Sequence, residues 1–237
     1  MAKTIAIMGA GGTMGLAIAT KFGKEGFNVG LVARSQENLD KLKAQLAEAG
    51  VTSVVTATAD ITDEAQSKSA LGVIKAAFGS IDVVEYSPAY GPQNYRGALD
   101  VTYENTKPAF ELVVGGAIKT ANLVVPDMIA AGNGALLFIA GGSALAPIPP
   151  LSNVGIAHSG LRNYVTNLHG ALKPKGVYVG AIYVAGMIKR GTEVDPDQIA
   201  EKLFNMYQSR DKVEETVRPL MPPPGAPGGP GGPPPGR

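Results

Sequence analysis

The stretch TIAIMGAGGTMGLAIATKF, which runs from Thr4 to Phe22, decides the fold. Its first five residues form a nearly continuous apolar run, the pattern of a parallel strand that is buried on both faces. A glycine-rich turn follows, and a helical pattern begins at Leu16. A strand, a tight glycine turn and a helix in immediate succession are typical of the first crossover of an α/β fold.

The same alternation continues along the chain. Further strands are predicted at 28–33, 53–58, 83–86, 135–140 and 177–184, with 213–217 as a weaker candidate for a seventh. Helical patterns lie between them, at the Leu39, Leu42 and Leu46 repeat and at 64–78, 107–131, 154–172 and 197–207. We therefore predict one α/β domain over residues 1–218, a doubly wound parallel sheet (Rossmann fold) with right-handed crossovers.

The composition excludes several classes of protein. With 21 Lys plus Arg against 20 Asp plus Glu, the net charge of +1 gives no reason to expect nucleic acid or a membrane as a partner. The chain has no Cys and two His, so no metal site is expected. No secretory signal pattern and no run of about 18 or more apolar residues is evident, which predicts a cytoplasmic location.

Proline and glycine are concentrated at the C-terminal end. Residues 219–237 hold nine Pro and six Gly. A segment of this composition cannot bury enough apolar surface to offset its ordering entropy, which predicts a disordered or polyproline-like tail. The tail is either inert or a docking segment for a partner.

The turn after the first strand suits a bound phosphate. It comprises Gly9, Gly11, Gly12, Thr13, Met14 and Gly15. Without Cβ atoms the backbone can turn tightly and approach a pyrophosphate, and the start of the helix directs free N–H groups at the anion. The position of the turn at the first crossover favours a dinucleotide site over a glycine turn that binds nothing.

The end of the second strand indicates which dinucleotide. An acidic residue there would hold the ribose hydroxyls of NAD, but this chain has Ala33, Arg34 and Ser35. A guanidinium and a hydroxyl suit a 2′-phosphate, so we predict NADP(H) in preference to NAD(H). The alternative is that Arg34 is a solvated surface charge.

Across residues 3 to about 190 the chain resembles the short-chain dehydrogenase/reductase family. The resemblance is carried by the opening segment through VGLVAR, by TADITDE at 58–64, by VPDMIAAGNGALLFIAGGSA at 125–144 and by VYVGAIYVAGMI at 177–188. It implies that Asp60 and Ile61 contact adenine. It also implies cofactor contacts from the loops after the fourth and sixth strands, at Ser87, Pro88, Ala89, Gly186 and Ile188.

The catalytic residues of that family do not recur in this alignment. The family uses a Tyr as acid/base, a Lys four residues later on the same helix face, and an upstream Ser that polarises the carbonyl. Here Val154 stands at the Tyr position, His158 at the Lys position and Gly141 at the Ser position, while the family's Asn position falls on or near Val113. Val cannot transfer a proton, and a neutral His lacks the permanent charge of Lys. The resemblance therefore implies an atypical member.

Several polar residues near the implied pocket are candidates to replace this set: His158, Ser143, Ser152, Asn153, Tyr183, Tyr86 and Tyr90. His158 is expected to face the nicotinamide ribose, and Ser143 follows the fifth strand at the sheet edge where α/β folds bind ligands. We predict His158 as a cofactor contact and His158 with Ser143 as catalytic residues. The structural alternatives are a packed helix His and a Ser that merely caps the chain after Gly141.

Two functions remain open at this point. The first is an atypical NADP(H)-dependent oxidoreductase acting on a carbonyl- or imine-type small molecule, since hydride transfer needs only an oriented nicotinamide and an electrophile. The second is a non-catalytic NADP(H)-binding sensor or scaffold, which the missing Tyr and Lys favour. A non-redox enzyme that reuses the pocket ranks third.

Two further expectations concern the surroundings of the pocket. About ten residues, 187–196, separate the sixth strand from the next helix, which predicts an open pocket or one completed by a partner subunit. By resemblance, the helices at 107–131 and 154–172 are expected to assemble a homodimer or homotetramer.

Overall fold

A computed structural model describes residues 2–218 of the chain. In these residues seven parallel strands form one sheet, in the order β3-β2-β1-β4-β5-β6-β7. The strands are β1 (Thr4–Met8), β2 (Asn28–Ala33), β3 (Val54–Thr58), β4 (Val83–Tyr86), β5 (Gly134–Gly141), β6 (Val177–Val184) and β7 (Glu214–Val217). The predicted doubly wound sheet is confirmed, including its seventh strand. The predicted tail, 219–237, lies outside the described residues.

Helices connect the strands on both faces of the sheet. They are α1 (Met14–Lys24), α2 (Gln36–Glu48), α3 (Glu64–Phe78), α4 (Tyr103–Phe110), α5 (Gly116–Ala130), α6 (Ser152–Leu172) and α7 (Pro196–Ser209). A π-helical turn, Glu111–Gly115, joins α4 to α5. The helix predicted at 107–131 begins earlier because Thr102 and Asn105 form a reciprocal capping box ahead of it.

The strand order reverses between β1 and β4. Strands β2 and β3 lie on one side of β1, and β4 to β7 extend on the other. Because all strands are parallel, the loops that follow β1 and β4 diverge at the same edge and open a crevice there. This edge positions the candidate site.

Two apolar layers sandwich the sheet. On one face, α3, α5 and α6 pack against residues such as Val84 and Tyr86; on the other, α1, α2 and α7 pack against residues such as Val83. The side chains of β4 alternate between these layers, as the pleat of a strand requires. Both faces of the sheet are therefore buried, which explains the continuous apolar runs of its strands.

The helical stretch Tyr103–Ala130 is 28 residues long, and its most apolar window has a mean hydropathy of 1.4. By length and composition alone it could cross a membrane, although Lys119 and Asp127 interrupt the apolar run. In the fold 44% of that window is buried. Its residues Val113 and Val124 belong to the core of the domain.

Candidate active site

The turn after β1 is shaped by its first glycine. Gly9 has φ of +85°, a left-handed conformation that L side chains rarely adopt, and an added Cβ would lie 3.1 Å from Cδ1 of Ile61. The amides of Gly9 and Ala10 both donate to the carbonyl of Val32, at 2.9 and 2.8 Å. These bonds bend the chain sharply from β1 across the edge of β2.

The start of α1 faces open space. A Cβ at Gly11 or Gly12 would meet nothing within 4 Å, whereas a Cβ at Gly15 would lie 3.0 Å from Cα of Ala10. Gly15 thus allows close packing, while Gly11 and Gly12 leave room for a ligand beside the backbone. Thr13, the N-cap, makes no side-chain capping bond, so the positive end of the helix remains available to an anion.

A cavity of about 810 Å³ extends from this turn past the end of β2. Its lining includes Arg34, Ser35, Lys41, Asp60 and Ile61. The Asp60 carboxylate accepts hydrogen bonds from Oγ1 and N of Thr62, at 2.7 and 2.9 Å. These bonds and the charge of Arg34 lower the pKa of Asp60. The Ser35 hydroxyl caps α2 by accepting from the amide of Asn38 at 3.3 Å.

A second cavity of about 470 Å³ adjoins the first at the glycine turn. It brings together residues predicted from four separate segments of the chain. They are Gly9, Gly11, Gly12, Thr13, Met14, Gly15, Ser87, Pro88, Ala89, His158, Gly186 and Ile188. Tyr90 and Tyr95, whose rings stack 6.4 Å apart, also line it.

The predicted pair Ser143 and His158 is joined by a hydrogen bond. Ser143 is buried in a short 3₁₀ turn after β5, and His158 projects from the second turn of α6. The Ser143 Oγ and the His158 Nδ1 lie 2.8 Å apart. Burial lowers the pKa of His158 to about 4, so the imidazole is neutral at physiological pH.

Gly141 is the residue that makes room for this imidazole. A Cβ at position 141 would lie 2.7 Å from Cε1 and 2.9 Å from Nδ1 of His158. Val154, one helical turn before His158, is buried and lines the same cavity. A serine at position 141 is therefore incompatible with the observed position of the imidazole.

Tyr86 lines neither cavity. It is buried in the layer formed by α3, α5 and α6, and its hydroxyl donates to the carbonyl of Leu112 at 2.5 Å. Leu112 is in the π-helical turn, where the wider spiral leaves backbone groups for such partners. Val113, on or near which the family's Asn position was predicted to fall, is buried.

Sequence reasoning missed the role of Asn153. This fully buried side chain accepts from the amide of Arg96 at 3.0 Å and donates to the carbonyls of Asn94 and Asn105, at 2.9 and 3.2 Å. It ties the long segment after β4 to the first turn of α6. Nothing in the local pattern of the sequence reveals these distant partners.

It also missed Glu85, which is 0% exposed in the middle of the sheet. Among the described residues, neither carboxyl oxygen has a hydrogen-bond partner of ordinary geometry. Burial raises the pKa of Glu85 to about 8, and the nearby Ser87 hydroxyl opposes this effect only in part. A single acidic residue inside an apolar strand was the signal available in the sequence.

Comparison with known proteins assigns the family. A model of the short chain dehydrogenases matches residues 3–201. The chain belongs to the short chain dehydrogenase family. It is 27% identical over 219 residues to the oxidoreductase asL5 of Sarocladium schorii, an alignment that covers 92% of this chain and 84% of that protein. The family resemblance inferred from the sequence is confirmed.

Solved structures share the short chain dehydrogenase fold. The NADPH-bound short chain oxidoreductase of Pseudomonas aeruginosa PAO1, which contains an atypical catalytic center, superimposes with a TM-score of 0.84 at 16% identity, covering 93% of this chain and 97% of that one. The L-sorbose reductase of Gluconobacter frateurii, complexed with NADPH and L-sorbose, gives 0.82 at 20% identity, covering 92% and 95%.

In this short chain dehydrogenase the two cavities form one crevice, because Gly9, Gly11, Gly12 and Pro88 line both. One end carries the cations Arg34 and Lys41, and the other carries His158. This distribution of charge suits an elongated, anionic ligand. The glycine turn in the middle is suited to its anionic centre.

Proposed function

We propose that this protein is an atypical NADP(H)-dependent oxidoreductase that reduces a carbonyl- or imine-type small molecule. The observation that carries the proposal is the 2.8 Å hydrogen bond between Ser143 and His158, beside the cavity that also contains the glycine turn. This pair would stand in place of the family's Ser, Tyr and Lys. The family, one of oxidoreductases, supports the reaction class.

The cofactor would lie along the whole crevice. Gly11, Gly12 and the start of α1 would hold the pyrophosphate, and Arg34 with Ser35 the 2′-phosphate. Asp60 and Ile61 would contact the adenine. The ribose and nicotinamide would be contacted by the remaining predicted residues, Thr13, Met14, Ser87, Pro88, Ala89, Gly186 and Ile188. The bound nicotinamide supplies the hydride. Three similar solved structures are complexes with NADPH or NADP, which supports this choice of cofactor.

The Ser143–His158 pair would orient the reacting groups without a positive charge. Ser143 engages Nδ1, which leaves Nε2 of His158 to contact a ribose hydroxyl or the substrate. Because the imidazole is neutral, it can donate or accept a hydrogen bond but cannot lower the pKa of a phenol as a Lys would. A protonated imine already carries its positive charge and least requires a protein acid, so imines are the favoured electrophiles.

The test begins with calorimetric titration of NADPH and, in parallel, NADH. We expect NADPH to bind at micromolar strength or better and NADH much more weakly. Consumption of NADPH is then followed with a panel of carbonyls and imines, for the wild type and for Ser143→Ala and His158→Gln. Ser159→Ala, an exposed hydroxyl on α6, is the matched control. Absence of binding by both nucleotides would overturn the proposal.

The second candidate is a non-catalytic NADP(H)-binding sensor or scaffold. It is favoured by Val154 and Gly141, which present no proton-transferring group to the cavity. Tight NADPH binding with no turnover across the panel, together with a NADPH-dependent change in binding to another protein, would support it.

We further propose a cytoplasmic homodimer or homotetramer assembled through α4–α5 and α6. Phe110 on α4 and Ile156 on α6 are 44% and 52% exposed, which suits an apolar interface between copies. Phe110→Glu with Ile156→Glu is expected to reduce the mass measured by light scattering. Val73→Glu, at 43% exposure on α3, is the control that should leave it unchanged.

A further inference from the structure

Glu85 is a carboxylic acid at the centre of the sheet with no described function. It lies in β4 between Ile7 of β1 and Leu137 of β5, its register partners, and is 0% exposed. Within residues 2–218, neither carboxyl oxygen has a hydrogen-bond partner of ordinary geometry, although the Ser87 hydroxyl is close enough to act on the carboxyl group. A buried polar group without partners is costly to the fold, so its position calls for a role.

Glu85 lies in the sheet below the end of the crevice that contains His158. Alternation along β4 puts Glu85 on the face of Val83, opposite Tyr86. Ser87, two residues further on, lines the cavity, as does Ile139, two residues beyond Leu137. Since two residues of a strand span roughly 7 Å, Glu85 lies one residue pair below the cavity floor.

The groups packed around Glu85 are apolar, apart from the Ser87 hydroxyl. Helices α1 and α7 cover this face with buried aliphatic and aromatic side chains. Their charged residues pair at the periphery, Lys21 with Glu25 and Glu201, and Lys202 with Glu215 of β7. The tyrosines of this layer are engaged elsewhere, the Tyr178 hydroxyl with the carbonyl of Lys212 and the Tyr207 hydroxyl with Lys3. No described cation therefore neutralises an ionised Glu85.

We propose that Glu85 couples proton binding to the oxidation state of the cofactor: it keeps its proton beneath a reduced, neutral nicotinamide and releases it beneath an oxidised, cationic one. This inference rests on the proposed function, because it requires a nicotinamide in the cavity. The O–H bond of the carboxylic acid is the only bond that breaks, and the proton passes to the buffer when NADP⁺ binds. The reverse occurs when NADPH replaces it.

The proposed coupling depends on the lack of any described cation that neutralises an ionised Glu85. A positive ring at the cavity floor, about one residue pair from Glu85 through the buried interior of the sheet, would favour the carboxylate more than it would in solvent. Burial raises the pKa of Glu85 to about 8, so the acid is protonated at neutral pH when the cavity holds no cation. Linkage then requires the affinity for NADP⁺, relative to NADPH, to increase with pH.

The experiment is calorimetric titration of the full-length protein with NADP⁺ and with NADPH, each in two buffers of different ionisation enthalpy. The dependence of the heat on the buffer measures the protons released. Both nucleotides carry the same phosphates, so their ionisation cancels in the comparison. Near pH 7 we expect NADP⁺ to release roughly half a proton or more per site beyond NADPH.

Substitution identifies the group. Glu85→Gln, which is isosteric and neutral, should abolish this difference and weaken NADP⁺ relative to NADPH on the order of tenfold. Glu48→Gln, an exposed carboxylate on α2, should leave both quantities unchanged. If Glu85→Gln does not fold, the ratio of the two affinities in the wild type, measured between about pH 6 and pH 9, replaces it.

The outcomes separate the two proposals. Failure of both nucleotides to bind overturns the proposed function. Binding of both with equal proton release in the wild type, an affinity ratio that does not change with pH, or a difference that persists in Glu85→Gln overturns the coupling alone.

Discussion

A Cβ atom at position 141 would lie 2.7 Å from Cε1 of His158, so the imidazole can occupy its position because residue 141 is a glycine. Position 141 ends β5 and His158 lies in α6, and the core holds these two elements in close contact. The close approach of these two residues therefore couples the end of β5 to α6.

Gly141→Ser should consequently destabilise the protein, by about 1–3 kcal/mol, because the added atoms overpack the space beside the imidazole. In a His158→Ala background the loss should largely disappear, giving a coupling free energy in a double-mutant cycle. Urea unfolding measures both. Gly170→Ser, where a Cβ meets nothing within 4 Å, is the control. An equal loss with and without His158 would contradict the steric account.

His158 should not titrate at neutral pH. Its folded-state pKa is lowered from 6.5 to about 4 by burial, so the unfolded chain binds the proton more tightly. The contribution of His158 to stability is therefore present above pH 6.5 and lost as the pH falls toward 4. Nuclear magnetic resonance can follow it, since the chain has two His and His158→Gln assigns the signals. A midpoint near the ordinary value would refute the prediction.

Arg34→Ala should weaken NADPH binding by roughly tenfold or more, because the guanidinium is the charge suited to a 2′-phosphate. NADH lacks that phosphate, so its affinity should change little. Calorimetric titration compares the two nucleotides. Lys43→Ala removes an exposed charge from α2 outside the cavity and serves as control. Parallel losses for NADPH and NADH would remove the basis for the NADP(H) preference.

Tyr86→Phe should lower the free energy of unfolding by about 1–3 kcal/mol, because it leaves the carbonyl of Leu112 buried without the donor it now has at 2.5 Å. Tyr103→Phe, which alters a side chain 76% exposed, should change stability little. Denaturant unfolding monitors both variants. An unchanged Tyr86→Phe protein would mean that the carbonyl finds another partner.

Glu85→Gln should change how stability depends on pH. The folded-state pKa is raised from 4.5 to about 8, so between these values the folded protein holds a proton that the unfolded chain has lost. The wild type should therefore become less stable as the pH rises through this interval. The Gln variant should lose that dependence while Glu48→Gln keeps it. Thermal unfolding without nucleotide checks this independently of cofactor binding.

Much of the fold could be predicted from the chain because the relevant signals are local. Continuous apolar runs identified the strands, and the predicted bounds of β1, β2, β4 and β6 agree with the structure. Burial on both faces of the sheet is what makes these runs continuous. The glycine turn was likewise evident, since a tight approach of backbone to backbone requires glycine at fixed positions.

The candidate site was predictable only as a set of residues. Family alignment drew attention to Ser143 and His158, but their 2.8 Å hydrogen bond depends on how α6 packs beside the end of β5. The links from Asn153 to Asn94 and Asn105 join segments about 50 residues apart in the chain, and no local pattern encodes them.

Glu85 shows most clearly what the sequence does not reveal about the site. The sequence shows that Glu85 lies in an apolar run. It does not show which side chains surround Glu85. The order of strands places β4, and with it Glu85, between β1 and β5. Glu85 therefore lies under the cavity floor, where no described cation neutralises it. Local periodicity thus specified the elements of this protein, whereas the electrostatics of its site arose from packing, because charge interactions depend on distances through space and on the exclusion of water.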